Sequence, residues 1–471
     1  MQKINRLATL IMLGLLPATA GAGGFALDEQ GAAGMGNAWA GAAAATRDSS
    51  AIFHNPAALI GLTQPQWLAS GNYMDLSAQF RATGSDTRLV DRATGQVGTA
   101  SVLGTPTGEL RAVGGGNSNG GRGGFVPAFF YASPINPNIV AGLGIYAPFG
   151  SETRFDADWA GRYSALDTVI TALSISPTLA WRLSPQWSLG IGLNAVKINA
   201  EASKALDFRY EASIAELALG QPVAIVDGKA TLKGHGWGYG INLGLLYETE
   251  NKARLAASFR SSITPKARGS YRVEIPALYS QLATGLGMSL ESETQPAQAK
   301  VKLPWRIQLA ADWPLNRDWS VQADLTRTGW ARFDELRAQI NNTPDQVQIQ
   351  KWRNTTRIGL GSTWHYTDTL DWKFGMAWDQ TPVRSAQWRH PSTPDANRLW
   401  LSTGFAWRPS KAGQLDVGLA YAHLSKAEVD YTDTATNRAD YPFFAADQKF
   451  RVQGDFKLKL WAVGAQYRYR W

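Results

Sequence analysis

From Trp461 to Trp471 the chain keeps a strict two-residue beat, with Trp461, Val463, Ala465, Tyr467, Tyr469 and Trp471 on one face and Gln466, Arg468 and Arg470 on the other. Successive residues of a β-strand point to opposite faces, so this pattern predicts a strand with one fully apolar side. The beat recurs in Leu173, Ile175, Leu179 and Trp181, in Trp237, Tyr239, Ile241, Leu243 and Leu245, and in Trp372, Phe374, Met376 and Trp378. In each case the apolar face carries aromatic rings toward the strand ends, where a bilayer interface places them. Counting such segments predicts about fourteen strands, starting near Trp67, Phe125, Asn138, Thr168, Trp187, Gly236, Arg254, Lys302, Trp319, Arg353, Leu370, Leu399, Gln414 and Phe456.

The connections sharpen the prediction. Every second one is tight: residues 133–137, 183–186, 248–252, 314–318, 366–369 and 408–413. The intervening ones are long, as at 81–124, 205–231, 270–298 and 430–448. Short turns at one rim and long loops at the other describe an outer-membrane barrel, and an even strand count returns both ends to the periplasmic rim. The expected fold is therefore all-β, a transmembrane antiparallel β-barrel of about fourteen strands occupying residues 66–471. A soluble sandwich has no reason to alternate its connections so regularly.

Composition agrees. No stretch after the first 22 residues is long and apolar enough to cross a membrane as a helix, so a membrane protein with this sequence crosses it with strands. Those first residues carry Lys3 and Arg6, an apolar run from Leu7 to Leu16 and Ala20-Gly21-Ala22, which reads as a secretory signal peptide over 1–22. Cysteine is absent, which removes disulfide and thiolate chemistry. Residues 23–65 are rich in Ala and Gly and have no sustained beat; they are too few for a separate domain and too apolar for a linker. A fourteen-strand wall encloses more space than its own side chains fill, so this segment is expected inside the lumen as a plug.

That segment resembles the N-terminal hatch of the FadL family of outer-membrane transporters for long-chain fatty acids and other hydrophobic compounds. The matching residues are Gly24 to Leu27, Gly34 to Ala38, Ala40-Gly41 and the triplet Asn55, Pro56 and Ala57 followed by Leu59. Trp187 to Gly190, Asn194 to Val196, Trp237 to Gly240, Pro382-Val383 and Arg398 to Ser402 extend the likeness over the mature chain; Trp471 departs from the terminal Phe usual in the family.

The resemblance implies passive uptake of long-chain fatty acids by a monomer in the outer membrane of a Gram-negative bacterium, among its lipids, with hydrocarbons such as monoaromatics as the alternative cargo. It implies a lumen pocket with Phe25 and a basic residue at Lys204, with Lys351 or Arg353 as a second cation and Asn55, Pro56 and Ala57 in the gating hatch. Lys204 also reads simply as a solvated lumen lysine. In the third strand Pro148 removes a ladder donor and Gly150 loosens the backbone, so a kink is expected there. In the family such a kink opens a lateral path to the bilayer, although Pro148 could equally mark the strand's outer end. Ile214, Leu217 and Ala218, and Leu278, Leu282 and Leu286, give two loop segments helical apolar faces. These form either the family's external capture groove or a cover over the barrel mouth.

Other chemistry is not indicated. The run Gly114 to Gly121 has no following helix and no Lys-Ser/Thr, so it is no phosphate loop. The five histidines lack metal-ligand spacing, and the sequence shows no cofactor, metal or nucleic-acid site. A lipid hydrolase would need Ser and His paired on outward wall positions; His365 beside Thr363 comes nearest, so the protein reads as a transporter and not an enzyme. An ordinary porin would need no apolar plug.

Overall fold

The computed structural model describes residues 24–91, 101–102, 105–106, 111–285, 287, 289–341, 345–433 and 446–471. The predicted signal peptide, residue 23, Leu286 and the side chain of Ile214 lie outside the described residues.

Fourteen strands form one antiparallel ring. They are β1 Gln66–Asp91, β2 Gly123–Asn136, β3 Ile139–Tyr146 continued by Gly150–Arg154, β4 Asp167–Arg182, and β5 Trp187–Leu206. Next come β6 Gly228–Glu248, β7 Arg254–Arg260 continued by Lys266–Glu274, β8 Glu293–Lys300 continued by Arg306–Pro314, and β9 Trp319–Thr328 continued by Glu335–Ile340. The last are β10 Gln346–Ile349 continued by Thr355–Thr367, β11 Leu370–Asp379, β12 Arg398–Trp407, β13 Gly413–Leu424 continued by Ala427–Thr432, and β14 Ala446–Arg470. Each pairs with its neighbour in sequence, and β14 closes on β1 from Gln66↔Arg470 to Asp91↔Ala446. Closure leaves no sheet edge for lipid to meet.

The six short turns fall where the pattern puts them. Short polar side chains seal several: Asn316 Oδ1 accepts from the amides of Asp318 and Trp319, both at 2.9 Å, and Ser184 Oγ accepts from Trp187 N at 3.1 Å. Some strands start earlier than expected, β6 at Gly228, β8 at Glu293 and β14 at Ala446. Beyond the bilayer both faces of a strand meet water or loops, so the apolar beat that marks a strand is missing there.

Outward positions carry two aromatic levels. Trp187, Tyr247, Trp313, Trp319 and Trp407 lie near the short turns, and Trp237, Tyr239, Trp378 and Trp461 nearer the long loops. Trp187 and Lys197, the register partner of Trp237, are ten residues apart on β5. At ~3.3 Å per residue and a tilt of ~40° this separates the levels by about 25 Å, the height of a barrel's apolar band.

Residues 24–61 lie within the ring as short helical turns, α1 Ala32–Met35, α2 Ala42–Ala45 and α3 Ala51–His54, followed by a 3₁₀ turn at Pro56–Gly61. Their packing reaches strands all round the wall, α1 against β12 to β14, α2 against β7 to β9, and the 3₁₀ turn against β4 to β6. Glycines at inward wall positions make room for this approach. A Cβ at Gly244 would come within 1.9 Å of Asn55 Oδ1, and one at Gly190 within 2.3 Å of Ala57 N. Asn55 itself donates to Ala43 O at 2.9 Å and to Leu245 O at 3.2 Å, while its Oδ1 accepts from Ala57 N at 3.0 Å. The Asn-Pro-Ala triplet thus ties the segment to β6.

Gly244→Val is expected to unseat the triplet and lower the unfolding free energy in urea by about 2–4 kcal/mol, the scale of two to three buried hydrogen bonds. Single-channel conductance in planar bilayers should rise at the same time. An unchanged conductance and midpoint would show that the segment does not depend on this seat.

Candidate ligand site

The β3 strand breaks at Ala147-Pro148-Phe149, as proline and the following glycine dictate. Its ladder with β2 ends at Ala128↔Tyr146 and returns only as a single bridge, Gly121↔Thr153. The interval is taken up by the N-terminal segment: Leu27 N donates to Pro148 O and Gly150 N to Phe25 O, both at 3.0 Å, around an antiparallel bridge between Ala26 and Phe149. Gln30 Nε2 donates to Ala147 O at 2.6 Å. Residues 25–30 therefore stand where the wall lacks a strand partner.

The Phe25 ring, fully buried, is held by four other rings. Trp330 lies 4.8 Å away, Phe333 5.3 Å, Trp352 5.8 Å and Phe149 6.1 Å, centroid to centroid. Phe25 and Phe333 line a cavity of about 270 Å³ on the side of the long loops. An apolar annex of about 70 Å³, bounded by Ile198, Val301 and Leu336, adjoins it. Phe149 and Trp330 face a smaller space of about 40 Å³ next to Pro148, edged by Arg260, Arg306 and Asp28. The five rings separate the two.

Lys204 reaches the larger cavity because even-numbered positions of β5, like Asn194 and Val196, face inward. Its Nζ lies 3.6 Å from Asp433 Oδ2. Beside it are His390 and Ser392, from the loop between β11 and β12, with Ser392 N donating to His390 Nδ1 at 3.1 Å. Burial, and then the charge of Lys204, push the His390 imidazole down to about 3, so it is neutral at ordinary pH. Thr393 Oγ1, also lining the cavity, is buried without a hydrogen-bond partner among the described residues. The site thus has an apolar floor and a polar end carrying one lysine.

Cations of the wall hold the N-terminal segment below. Asp28 is paired with Arg306, and Arg260 Nη2 donates to Phe53 O at 2.7 Å with its guanidinium 4.2 Å above the Phe53 ring. Arg357 bridges the carboxylate of Asp324, at 3.0 Å to each oxygen, and the carbonyl of Ala38.

Of the residues expected from the sequence, Phe25 and Lys204 share the cavity and Pro148 and Gly150 share the β3 break. Lys351 and Arg353 do not come to the cavity. Trp352 between them points inward, while Lys351 lies 4.2 Å over the Trp388 ring and Arg353 Nε donates to Thr381 O at 3.2 Å. Leu278 and Leu282 also lie elsewhere, half-buried on α5, Ala277–Gly285. That helix packs through Tyr279 on Phe208, rings stacked at 4.8 Å, at the start of α4, Arg209–Leu219. Sequence reasoning did not single out Trp330, Phe333, Trp352, His390 and Asp433. For the three bulky aromatics the one signal is that they fall in the breaks within β9 and β10, outside any two-residue beat; His390 and Asp433 carry none.

The family profile described as outer membrane protein transport protein (OMPP1/FadL/TodX) matches residues 14–471. A long-chain fatty acid transport protein of Salmonella typhi is 26% identical over 474 residues, covering 98% of this chain and 97% of that protein. The crystal structure of a Pseudomonas aeruginosa FadL homologue superposes with a TM-score of 0.76 at 23% identity, covering 95% of this chain and 99% of the other. A Pseudomonas putida toluene transporter, TodX, gives a TM-score of 0.61 at 12% identity, with 95% and 100% covered.

Removing a buried phenyl ring costs about 3–5 kcal/mol. In Phe25→Ala the amides of Leu27 and Gly150 should therefore exchange with deuterium at least about 100-fold faster, since their hydrogen bonds open with the segment. Wild-type protection at both amides would show that the rings do not hold it.

Proposed function

Because this chain belongs to the family of outer-membrane transport proteins that includes FadL and TodX, we propose that it, an outer-membrane transporter for hydrophobic compounds, takes up long-chain fatty acids through the Phe25 cavity and releases them sideways at the β3 break. One observation carries the proposal: the residue whose ring floors the cavity is also the residue whose carbonyl bridges the broken strand. A ligand that displaces Phe25 removes the backbone partner of Gly150 in the same movement.

The energetics suit such a cargo. Burying ~15 methylenes at ~0.8 kcal/mol each provides about 12 kcal/mol before ordering costs, enough to offset the loss of the ring cluster's packing. At about 270 Å³, with an annex of about 70 Å³, the cavity is at the lower limit for a drug-sized ligand, and movement of the Phe25 ring makes room for a full acyl chain. The carboxylate is placed at Lys204, with the hydroxyl of Thr393 as donor. Leu217 and Leu219, exposed at the end of α4, and Ile225 after it offer the first apolar surface to an arriving ligand. The N-terminal segment, with Asn55, Pro56 and Ala57 seated on β6, acts as the hatch that gates the lumen, and no covalent step is involved. Release through the wall suits a ligand that prefers lipid to periplasmic water.

The Lys204–Asp433 pair also leaves the cavity close to neutral, which favours uncharged hydrocarbon as the alternative cargo. Uptake of radiolabelled oleate and of toluene by cells lacking their own transporter separates the two. In Lys204→Ala, oleate uptake should fall about tenfold, the worth of one charge-assisted hydrogen bond, while toluene uptake stays unchanged. Equal oleate uptake in wild type and Lys204→Ala would reject the carboxylate role and move the protein to the hydrocarbon branch.

The pair Pro148→Val and Gly150→Val should restore a continuous β2–β3 ladder and reduce uptake of either compound at least tenfold in a barrel that keeps its heat-modifiable gel mobility. Undiminished uptake would rule out release through β3.

A further inference from the structure

On the outward wall of β5 to β8, just beyond the Trp237 level on the side of the long loops, cations outnumber the acids that could neutralise them among the described residues. Lys266 and Lys300 are direct cross-strand partners, and so are His235 and Arg268. Lys197 pairs in register with Trp237, which places it at the aromatic level itself. Lys266, Arg268 and Lys300 are exposed, and among the described residues none of the three has a carboxylate within ion-pair distance. The acids nearby are already engaged: Glu201 with Lys233 at 3.0 Å and Glu274 with Arg272 at 3.4 Å.

Two lysines directly opposed across a ladder destabilise the sheet in water. On this surface they make sense only with an anion between them. Cross-strand Cβ atoms stand ~5 Å apart and i,i+2 positions ~6.6 Å along a strand, so Lys266, Arg268 and Lys300 present three donor groups to a space the size of one phosphate group. Their aliphatic stems lie along the apolar wall and carry the charges up to headgroup level. The same wall below, with Leu243, Phe259 and Ile307 turned outward, meets acyl chains.

We propose that this patch binds the phosphate groups of the phosphorylated glycolipid that forms the outer leaflet, with Lys266, Arg268 and Lys300 as the contact residues and Lys197 and His235 at its edge. The choice of occupant follows from position and charge. The patch faces lipid and not the lumen, it lies on the long-loop side of the band, and its donors match a phosphate monoester. Arg268 can engage such a group with two parallel hydrogen bonds.

The test uses the full barrel in detergent, titrated with bisphosphorylated lipid A carrying its inner-core sugars and followed by native mass spectrometry. Parallel titrations use the enzymatically dephosphorylated lipid A and phosphatidylglycerol. Each basic residue near an anionic headgroup contributes roughly a factor of five, so the triple variant Lys266→Gln, Arg268→Gln, Lys300→Gln should bind about a hundredfold more weakly. Arg317→Gln, in a turn at the opposite rim, should bind as wild type. Dephosphorylation should weaken binding to the unchanged protein to a similar degree, which keeps the test decisive if the triple variant fails to fold. Equal binding of phosphorylated and dephosphorylated lipid A overturns the proposal, and so does equal binding by the folded triple variant. Phosphatidylglycerol binding as tightly would reduce the patch to a general anionic-lipid surface and reject the assignment.

Discussion

Inside hydrocarbon no water is present to satisfy a backbone N–H or C=O, and this requirement organises the whole molecule. It closes fourteen strands into a ring with β1 joined to β14. It also gives meaning to the interval where the β2–β3 ladder fails. Between Tyr146 and Thr153, β3 loses β2 as a partner, and the backbone of Phe25, Ala26 and Leu27 takes its place. The wall is complete only while the N-terminal segment is in position.

The remainder of the lumen is arranged around that segment. Inward glycines at 190 and 244 let its backbone come against the wall, and lumen arginines reach across to it, Arg260 to the carbonyl of Phe53 and Arg306 to Asp28. Charges taken out of water need compensating partners, which Asp28 supplies to Arg306 and the carbonyl and ring of Phe53 supply to Arg260. The result is a segment held by many moderate polar contacts and one dense aromatic cluster, the cluster being the part that borders the cavity. Coupling between cavity and wall then needs no long pathway, since a single residue belongs to both.

The outer surface obeys a different balance. In the band between the aromatic levels the wall is apolar, and just beyond it the charges on β5 to β8 are too closely set to have been placed for the protein's own stability. Interior and exterior thus treat cations oppositely: inside, arginines are used to fasten chain to chain, and outside, lysines are left open toward the lipid headgroups.

The alternating beat by itself determined the strands, their number and the rim to which each turn belongs, because period-two patterning is imposed residue by residue by the bilayer on one side and the lumen on the other. Proline in β3 likewise announced its break, since a missing N–H is a local fact. Lys204 was picked out by the resemblance, and its even-numbered position on β5 is what turns it inward in the barrel. The sequence could not show which aromatics surround Phe25, because Trp330, Phe333 and Trp352 come from the breaks within β9 and β10 and are brought to it only when the barrel closes. Nor could it separate Lys204, which reaches the cavity, from Lys351 and Arg353, which do not; that depended on Trp352 turning inward in an irregular stretch where no periodicity sets direction. The segment's fit at the β3 interval was decided by tertiary structure alone, for hydrogen bonds between residues more than a hundred positions apart leave no trace in local pattern.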